Sequence, residues 1–284
     1  MANSKALGST EPILRWVGGK RQLLPYLLDR LPAGIESLRY FEPFLGAGSL
    51  FFSLVPAKAF LSDANRHLVH TYEHIKRQPD LVYSYLRTHS NSSCEEYYYR
   101  IRDSYNHSVF STAQASRFIY LNKTCFNGIF RVNQKGAFNV PYGRKEPPAL
   151  PTLAQLRNAS KALSMATLGA CQYRDAIKDC SKGDFVYLDP PYPPINGTAY
   201  FTHYTSDRFG MSDQEELGAL VHELSARKVL FMMTNADTPL IRKLYGHYHI
   251  TEVPVIRYVT CKSKKYSARE LIITNYKDFL GRLF

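Results

Sequence analysis

The chain has 284 residues, of which 45% are hydrophobic, and it carries a formal net charge of +12 at pH 7. This size suits one large domain or a main domain with an insert, and the positive balance favours nucleic acid as a partner over a merely basic surface. No apolar run approaches membrane-spanning length and no signal-peptide core opens the sequence, so we expect neither a membrane nor a secreted protein. The five scattered cysteines show no metal-ligand spacing, which predicts reduced thiols in the cytoplasm and no metal site.

The first predicted elements form a strand–turn–helix–strand unit. We predict a strand at 39–44 (RYFEPF), a glycine turn leading into a helix at 46–54 (GAGSLFFSL), and a second short strand at 59–63 (AFLSD). Leucines at a 3.6-residue period between residues 23 and 31 indicate a helix before them. This order is typical of a parallel βαβ unit in an α/β sheet.

The pattern changes between residues 66 and 165, where the chain is polar, rich in tyrosine and mostly helical in its period. A strongly basic loop at about 123–148 interrupts it. The turn signals Asn127-Gly128 and Lys135-Gly136 predict that this loop is a β-hairpin or an irregular projection, which we call the finger.

An α/β pattern returns after residue 168. We predict a helix at 212–228 and strands at 170–174, 184–189, 228–235, 248–257 and 270–276. Residues 1–65 and 166–284 should then share one sheet, interrupted by an inserted domain at 66–165.

Two features of the first βαβ unit predict an adenosine ligand. Gly46 and Gly48 lie between a strand and a helix, where missing side chains let a ligand approach the backbone. Asp63 ends the next strand 17 residues after Gly46, near the spacing at which Rossmann-like sites place an acid on ribose hydroxyls. The missing third glycine argues against NAD or FAD, and no Walker-type phosphate cradle is present. A tight turn with a helix-capping aspartate is the alternative.

In the stretch 184–194, DFVYLDPPYPP, a predicted buried strand is followed by an aspartate and then by prolines, which restrict the backbone. Pro190 and Pro191 fix their own φ angles and cannot continue a sheet ladder. They therefore hold Asp189 and Tyr192 at the end of a strand, where open α/β sheets bind ligands. An ordinary strand-to-loop turn is the alternative.

Four motifs in this order, RWVGGK (15–20), EPFLGAGSLFF (42–52), SDAN (62–65) and DPPY (189–192), resemble those of the Dam-like DNA adenine-N6 methyltransferases. The resemblance continues through FNGIFRVN and GAFNVPYGR in the finger and covers nearly the whole chain from about residue 13. Its order is similar to the α-group arrangement. It implies a Rossmann-like S-adenosylmethionine-dependent methyltransferase sheet with an inserted, mostly helical DNA-recognition domain that carries a β-hairpin finger.

The resemblance implies S-adenosylmethionine as the cofactor. Asp63 would hold the ribose hydroxyls, and Trp16 and Lys20 would close the pocket. Asp175, expected at the end of a strand, would lie near the cofactor's adenine. The residues assigned to the cofactor are Trp16, Lys20, Phe44, Gly46, Ala47, Gly48, Ser49, Asp63, Asp175 and Asp189.

The resemblance also makes Asp189, Pro190 and Tyr192 the catalytic residues. Adenine N6 is a poor nucleophile, because its lone pair is delocalised into the ring. Asp189 and the Pro190 carbonyl would accept the two N6 hydrogens and stabilise the positive charge that develops, while Tyr192 stacks on the base. Because N6 inside a duplex cannot reach such a pocket, the base must flip out.

The implied DNA contacts come from the finger and from Arg15. Arg131 could bond guanine O6 and N7, although phosphate contact is the alternative for an isolated basic residue. We expect GATC as the site, because FNGIFR and NVPYGR resemble members that methylate it; Lys145 replaces an aromatic residue of some relatives and leaves the outer base pair open. The implied DNA-binding residues are Arg15, Asn127, Ile129, Arg131, Pro141 and Tyr142.

Three alternatives stay open. A cytosine-N4 methyltransferase would have the same cofactor site, and an enzyme that acts on RNA or a protein amide would have a related one. A catalytically silent DNA- or cofactor-binding module is the third, against which the intact DPPY motif argues. We expect a monomer that acts on double-stranded DNA, with or without an associated restriction enzyme.

Overall fold

The predicted strand–turn–helix–strand opening is present in the computed structural model, which describes residues 10–144, 148–193, 209–258 and 265–277. Its elements are α1 (Leu24–Asp29), β1 (Arg39–Glu42), α2 (Ser49–Leu54) and β2 (Ala59–Asp63). The two strands pair in parallel, with Tyr40 beside Ala59. Leu27 and Phe51 are fully buried, so the apolar faces of both helices pack inward as their periodicity predicts.

Five helices lie between β2 and the next strand, and we call residues 66–165 the helical segment. Asn65 caps the first of them, because its side-chain oxygen accepts the N–H groups of His67 and Leu68. Thr152 forms a capping box with Gln155 at the start of the last. The helices are α3 (Arg66–Arg77), α4 (Pro79–Asn91), α5 (Glu95–His107), α6 (Thr112–Thr124) and α7 (Leu153–Leu163).

The finger follows α6 and begins with a 3-10 turn at Phe126–Gly128. Its two isolated antiparallel bridges join Cys125 to Tyr142 and Val132 to Phe138. The Asn106 side chain on α5 accepts the Phe138 N–H at 2.8 Å and donates to the Phe138 carbonyl at 3.1 Å. The finger is therefore an irregular hairpin that α5 holds in place. Lys145 lies outside the described residues.

The second half returns to the sheet, with two differences from the predicted strands. The last strand begins at Lys265 instead of at the predicted residue 270. The strand expected at 170–174 was wrong: β3 ends at Ala170 and a short helix begins at Tyr173, so Asp175 lies on a helix. The elements are β3 (Ala166–Ala170), α8 (Tyr173–Ile177), β4 (Asp184–Leu188), α9 (Met211–Ala226), β5 (Leu230–Ala236), α10 (Pro239–Tyr245), β6 (His249–Tyr258) and β7 (Lys265–Thr274).

The seven strands form one sheet in the order β3-β2-β1-β4-β5-β7-β6. The first five in that order pair in parallel, and β7 runs antiparallel between β5 and β6. Chain order reverses where β1 lies beside β4, and in such sheets ligands bind outside the carboxyl ends at that point. We call this the carboxyl edge of the sheet. The predicted Rossmann-like α/β fold is confirmed.

Two hydrophobic cores lie on opposite faces of the sheet. One joins Tyr40, Phe51 and Phe185 to the helical segment. The other packs α8, α9 and α10 against the outward side chains of β4 and β5, such as Val186 and Phe231. This layering leaves the carboxyl edge between two supported faces. None of the helices in the described ranges has the length and apolar character needed to span a bilayer.

Candidate active site

In the glycine turn after β1, Gly46 is surrounded by Asp63, Tyr72 and Trp16. Its N–H donates to Asp63 Oδ2 at 3.0 Å, and its carbonyl accepts the Tyr72 hydroxyl at 3.1 Å. Its φ is 47°, and a Cβ there would lie 2.7 Å from Cδ1 of Trp16. Gly48, with φ of 66°, begins the bend into α2. Only glycine fits at position 46, because a side chain would be strained and would strike the Trp16 ring.

Asp63 stands at the end of β2 as predicted, half buried, and holds the turn together. Its Oδ1 accepts the Asn65 N–H at 2.9 Å while Oδ2 accepts that of Gly46. Burial raises the pKa of Asp63 to about 6, although the two backbone hydrogen bonds work against the rise. The carboxylate keeps lone pairs for further donors, which suits the recognition of two hydroxyl groups.

An aromatic cluster forms where the loop after β1 meets the start of α8. Phe44 stacks on Tyr173 with ring centroids 5.2 Å apart, and Phe209 meets Phe44 edge-on at 6.0 Å. Phe44 was predicted from its motif, whereas Tyr173 and Phe209 were not. Asp175, predicted near the cofactor's adenine, lies on α8 two residues after Tyr173, with its side chain exposed.

The residues at this edge fit the S-adenosylmethionine that the sequence implies. The turn at Gly46 leaves no room for a side chain, Asp63 offers carboxylate oxygens, and the Phe44 cluster offers ring faces to a flat base. Ala47 is buried in the same turn, and Ser49 is the first residue of α2. A nucleoside with hydroxyl groups and an aromatic base matches this set of donors, acceptors and rings.

Asp189 follows β4 directly and is anchored through one oxygen. Its Oδ1 accepts the Thr234 hydroxyl at 2.7 Å and pairs with Lys20 Nζ at 2.8 Å. Among the residues that the structure describes, Oδ2 therefore keeps its lone pairs for another donor. Burial raises the pKa of Asp189, and the charge and hydrogen bond of Lys20 oppose that rise.

The second of the two prolines after Asp189 is held by buried amides. The Pro191 carbonyl accepts the Gln214 side chain at 2.8 Å, and Gln214 in turn accepts Asn235 at 3.3 Å. Tyr192 extends from this rigid loop, and its hydroxyl donates to Glu270 Oε2 at 2.8 Å. The motif is thus held from α9, β5 and β7 at once.

A second buried carboxyl lies below the edge at Glu42, the last residue of β1. Its Oε2 accepts the Tyr40 hydroxyl at 2.7 Å. Burial raises the pKa of Glu42 to about 8 against that hydrogen bond, and the charges of Asp189 and Asp63 add to the rise. Several acids therefore lie near this edge, and among the described residues Lys20 forms an ion pair with one of them, Asp189.

Trp16 connects this edge to the helical segment. Besides touching Gly46, its ring stacks near Phe118 at 6.5 Å and near Phe130 at 6.1 Å. The neighbouring Arg15 has its backbone N–H and carbonyl bonded, both at 2.8 Å, by the buried Asn122 side chain. The RWVGGK segment thus lies between the glycine turn and the finger.

The predicted DNA-contact residues differ in exposure. Arg131 is exposed, and its Nε donates to the Asn139 side chain at 2.8 Å, which orients the guanidinium. Asn127 and Pro141 are also exposed, and Ile129 is half buried. Tyr142, by contrast, is only 8% exposed, and its ring packs 5.2 Å from that of Tyr98. The sequence also missed Phe126, whose ring is 49% exposed next to Asn127.

Comparisons with known proteins identify a family and several relatives. A family model described as D12 class N6 adenine-specific DNA methyltransferase matches residues 16–259. The type II methyltransferase M1.LlaDCHI of Lactococcus lactis subsp. cremoris is 35% identical over 272 residues, covering 93% of this chain and 95% of the relative. The DNA adenine methylase of Escherichia coli K12 is 32% identical over 266 residues, covering 93% and 94%. A solved precorrin-6y C5,15-methyltransferase from Geobacter metallireducens GS-15 gives a TM-score of 0.38 at 11% identity, covering 95% of this chain and 93% of that one.

Proposed function

The chain belongs to the D12 class N6 adenine-specific DNA methyltransferases, and from that premise we propose that it methylates the adenine of GATC in double-stranded DNA after flipping that base out of the helix. The family assignment makes the protein an enzyme that uses DNA as substrate and S-adenosylmethionine as methyl donor. It sets aside the cytosine-N4 and catalytically silent alternatives. The site sequence, the flipped base and the residue roles below are our proposal.

The observation that carries the proposal is the anchoring of Asp189. Thr234 and Lys20 both bind Oδ1, which directs Oδ2 toward an incoming donor. We assign one N6 hydrogen of adenine to Oδ2 and the other to the carbonyl of Pro190. Two acceptors on the same nitrogen draw its lone pair out of the ring and stabilise the positive charge that grows on it.

The donor would lie at the glycine turn. When bound, S-adenosylmethionine supplies a methyl group on a sulfonium sulfur, so that no covalent enzyme intermediate is needed. Asp63 would bind the ribose hydroxyls, the ring faces of the Phe44 cluster would hold the adenine, and Gly46 would allow close approach of the backbone. The protein's part is to align the two reactants.

Base flipping accounts for the recessed position of Asp189 and for the finger. Unstacking and unpairing a base costs a few kcal/mol, so groups that occupy the vacated space stabilise the flipped state. The exposed ring of Phe126 and the side chain of Asn127 lie together at the start of the finger. We propose that Tyr192 holds the flipped adenine, because its ring would stack on the base.

Recognition of GATC is supported by motif and charge. The finger sequences FNGIFR and NVPYGR resemble those of GATC-specific members, and Arg131 is oriented by Asn139 in a way that suits a bidentate contact with guanine. We assign target recognition to residues 66–165 and catalysis to residues 1–65 and 166–284. The enzyme would act as a monomer, and its cytoplasmic location stays a prediction.

The test uses unmethylated duplexes that differ only in one site. One contains GATC, four others change a single base pair of it, and a sixth is single-stranded GATC. After incubation with S-adenosylmethionine, the DNA is digested and its nucleosides are separated by mass spectrometry. We expect N6-methyladenine from the GATC duplex, at least about tenfold less from each changed duplex, and no N4-methylcytosine. Equal methylation of all the duplexes would contradict GATC recognition, and preferred methylation of the single strand would contradict flipping from a duplex.

A further inference from the structure

Glu270 is a buried carboxylate whose place is not explained by the fold. It is 8% exposed and lies on β7, opposite Ala236 of β5 and Val253 of β6. Burying a carboxylate is unfavourable unless hydrogen bonds compensate, and an apolar residue at this central position would pack without that penalty. A carboxylate in the middle of a sheet is therefore expected to do something that a hydrophobic side chain cannot.

One contact of Glu270 is with the DPPY motif. Glu270 Oε2 accepts the hydroxyl of Tyr192 at 2.8 Å, across 78 residues of sequence. A hydrogen bond to a charged acceptor is stronger and shorter than one between neutral groups. It holds the far end of the Tyr192 ring, whereas the near end is held by the proline loop, which Gln214 fixes through the Pro191 carbonyl.

The ring of Tyr192 is constrained on one face as well. Lys20 Nζ lies 4.8 Å from the ring centroid, and the same ammonium pairs with Asp189 at 2.8 Å. A base that stacks on Tyr192 must therefore use the face opposite Lys20. The tilt of that face depends on where the hydroxyl is anchored, and Glu270 is one acceptor that holds it.

We propose that Glu270 is a positioning residue, which sets the plane of the Tyr192 ring so that the flipped base presents N6 to Asp189. This inference rests on the proposed function, because it takes Tyr192 as the surface on which the base stacks. Glu270 acts through Tyr192 and touches neither reactant. Its loss should therefore impair transfer and stacking but leave cofactor affinity unchanged.

The test is a mutant cycle on this pair with four variants: Glu270→Ala, Glu270→Gln, Tyr192→Phe and the double variant Glu270→Ala/Tyr192→Phe. Single-turnover methylation is measured on a duplex that contains a methylatable adenine. Stacking is measured by the fluorescence of 2-aminopurine at the target adenine of a second duplex, and cofactor affinity by calorimetry. The matched control is Thr274→Val, which removes the hydroxyl that bonds the Tyr276 carbonyl at 2.9 Å on the same strand.

We expect Glu270→Ala and Tyr192→Phe each to lower the single-turnover rate about 10- to 100-fold and to change the 2-aminopurine signal in the same direction. The double variant should be no slower than the singles, because both remove one interaction. Glu270→Gln keeps an acceptor oxygen and should recover most of the rate. Cofactor affinity should stay within about threefold of wild type in every variant, and Thr274→Val should methylate normally.

A wild-type rate in Glu270→Ala, multiplicative losses in the double variant, or an equal loss in Thr274→Val would overturn the inference. If Glu270→Ala does not fold, the cycle is run with Glu270→Leu, and Tyr192→Phe still decides, since a normal rate there would remove the need for an anchor. Failure of the proposed function is seen separately, as the absence of N6-methyladenine from the wild-type enzyme or as activity in Asp189→Ala.

Discussion

The carboxyl edge and the helical segment bury ionisable groups of opposite kinds. At the edge, burial raises the pKa of Glu42 to about 8 and that of Asp63 to about 6. In the helical segment, burial lowers the pKa of His67 and of His89 to about 4. The cause is the same in both regions, because loss of hydration disfavours whichever form is charged.

The difference lies in what can compensate. At the edge, Lys20 is the local cation, and a bound sulfonium and a developing charge on N6 would add positive charge that favours ionised acids. In the helical segment, His89 is bonded by the Tyr97 hydroxyl at 2.8 Å and lies beside Ser116, so its neutral form is satisfied. Under the proposed function, positive charge at the edge would therefore favour ionised acids, whereas hydrogen bonds in the helical segment favour the neutral imidazole of His89.

The largest effect should come from Asp189→Ala, which should impair methylation at the carboxyl edge without impairing DNA binding. We expect the methylation rate to fall on the order of 100- to 1000-fold, because the acceptor that stabilises developing charge is lost. DNA binding should stay within a few-fold of wild type, since the finger is untouched. Rates are measured under single-turnover conditions and binding by fluorescence anisotropy.

The control for that variant is Asp103→Ala, which removes an aspartate with a 79% exposed side chain on α5. It should methylate at the wild-type rate. If Asp189→Ala kept a rate within a few-fold of wild type, or lost DNA binding in proportion to its activity, the carboxyl edge would not be the place of the chemistry.

The next largest effect should be on stability in acid. His89 has a folded-state pKa near 4 against an ordinary value of 6.5, so its stabilising contribution is complete above pH 6.5 and is lost as the pH falls toward 4. The shift corresponds to on the order of 3 kcal/mol of unfolding free energy at full titration. His89→Gln should be less stable than wild type at pH 7 and should lose less stability between pH 6.5 and 4.

Urea unfolding at several pH values checks this, and the quantity to follow is the wild-type minus variant difference. Burial raises the pKa values of Glu42 and Asp63, so their contributions to stability grow as the pH falls through this range, but both groups are common to the two proteins and cancel. His107→Gln is the matched control, because that imidazole is 76% exposed. If the free energy of unfolding changed equally with pH in wild type and His89→Gln, His89 would not be the titrating group.

The sequence predicted the parts of the site that are contiguous in the chain. Gly46, Asp63 and Asp189 each follow directly from a strand end, where local pattern determines position. Thr234 and Glu270 could not be predicted, because their contacts form only after folding. Thr234 reaches Asp189 through the pairing of β5 with β4, and Glu270 reaches Tyr192 through the pairing of β7 with β5. A polar residue inside an apolar strand was the one available signal.

The predicted strand at 170–174 shows the same limit at an element boundary. Residues 166–173 (ATLGACQY) form one mixed apolar run, in which periodicity cannot separate a strand end from a helix start. Pairing with β2 decides it: Ala170 lies opposite Asp63, the last residue of that strand. The chain then turns into α8, which brings Tyr173 onto Phe44. Tertiary pairing thus created the aromatic cluster that the sequence missed.

A smaller effect is expected on sequence recognition, which should be separable from methyl transfer. Arg131→Ala should keep the cofactor site intact but lose about 1–3 kcal/mol of discrimination between GATC and sites changed at the guanine. Specificity is measured as the ratio of kcat/KM on the two duplexes. Lys135 is an exposed basic residue of the same finger, and Lys135→Ala should lower kcat/KM on both duplexes by the same factor. An equal loss on all sequences in Arg131→Ala would make Arg131 a phosphate contact.

The smallest expected effect compares one glycine from each region. Gly46 and Gly136 both have positive φ, 47° and 76°, so alanine at either should cost about 1–2 kcal/mol of unfolding free energy from backbone strain. At Gly136 a Cβ meets nothing within 4 Å, whereas at Gly46 it would lie 2.7 Å from Trp16. Gly46→Ala should therefore lose more stability than Gly136→Ala and should also weaken cofactor binding by calorimetry, because the Trp16 ring must move. Equal losses in the two variants, with cofactor affinity unchanged, would mean that Trp16 yields freely and that the two regions are not joined rigidly through this contact.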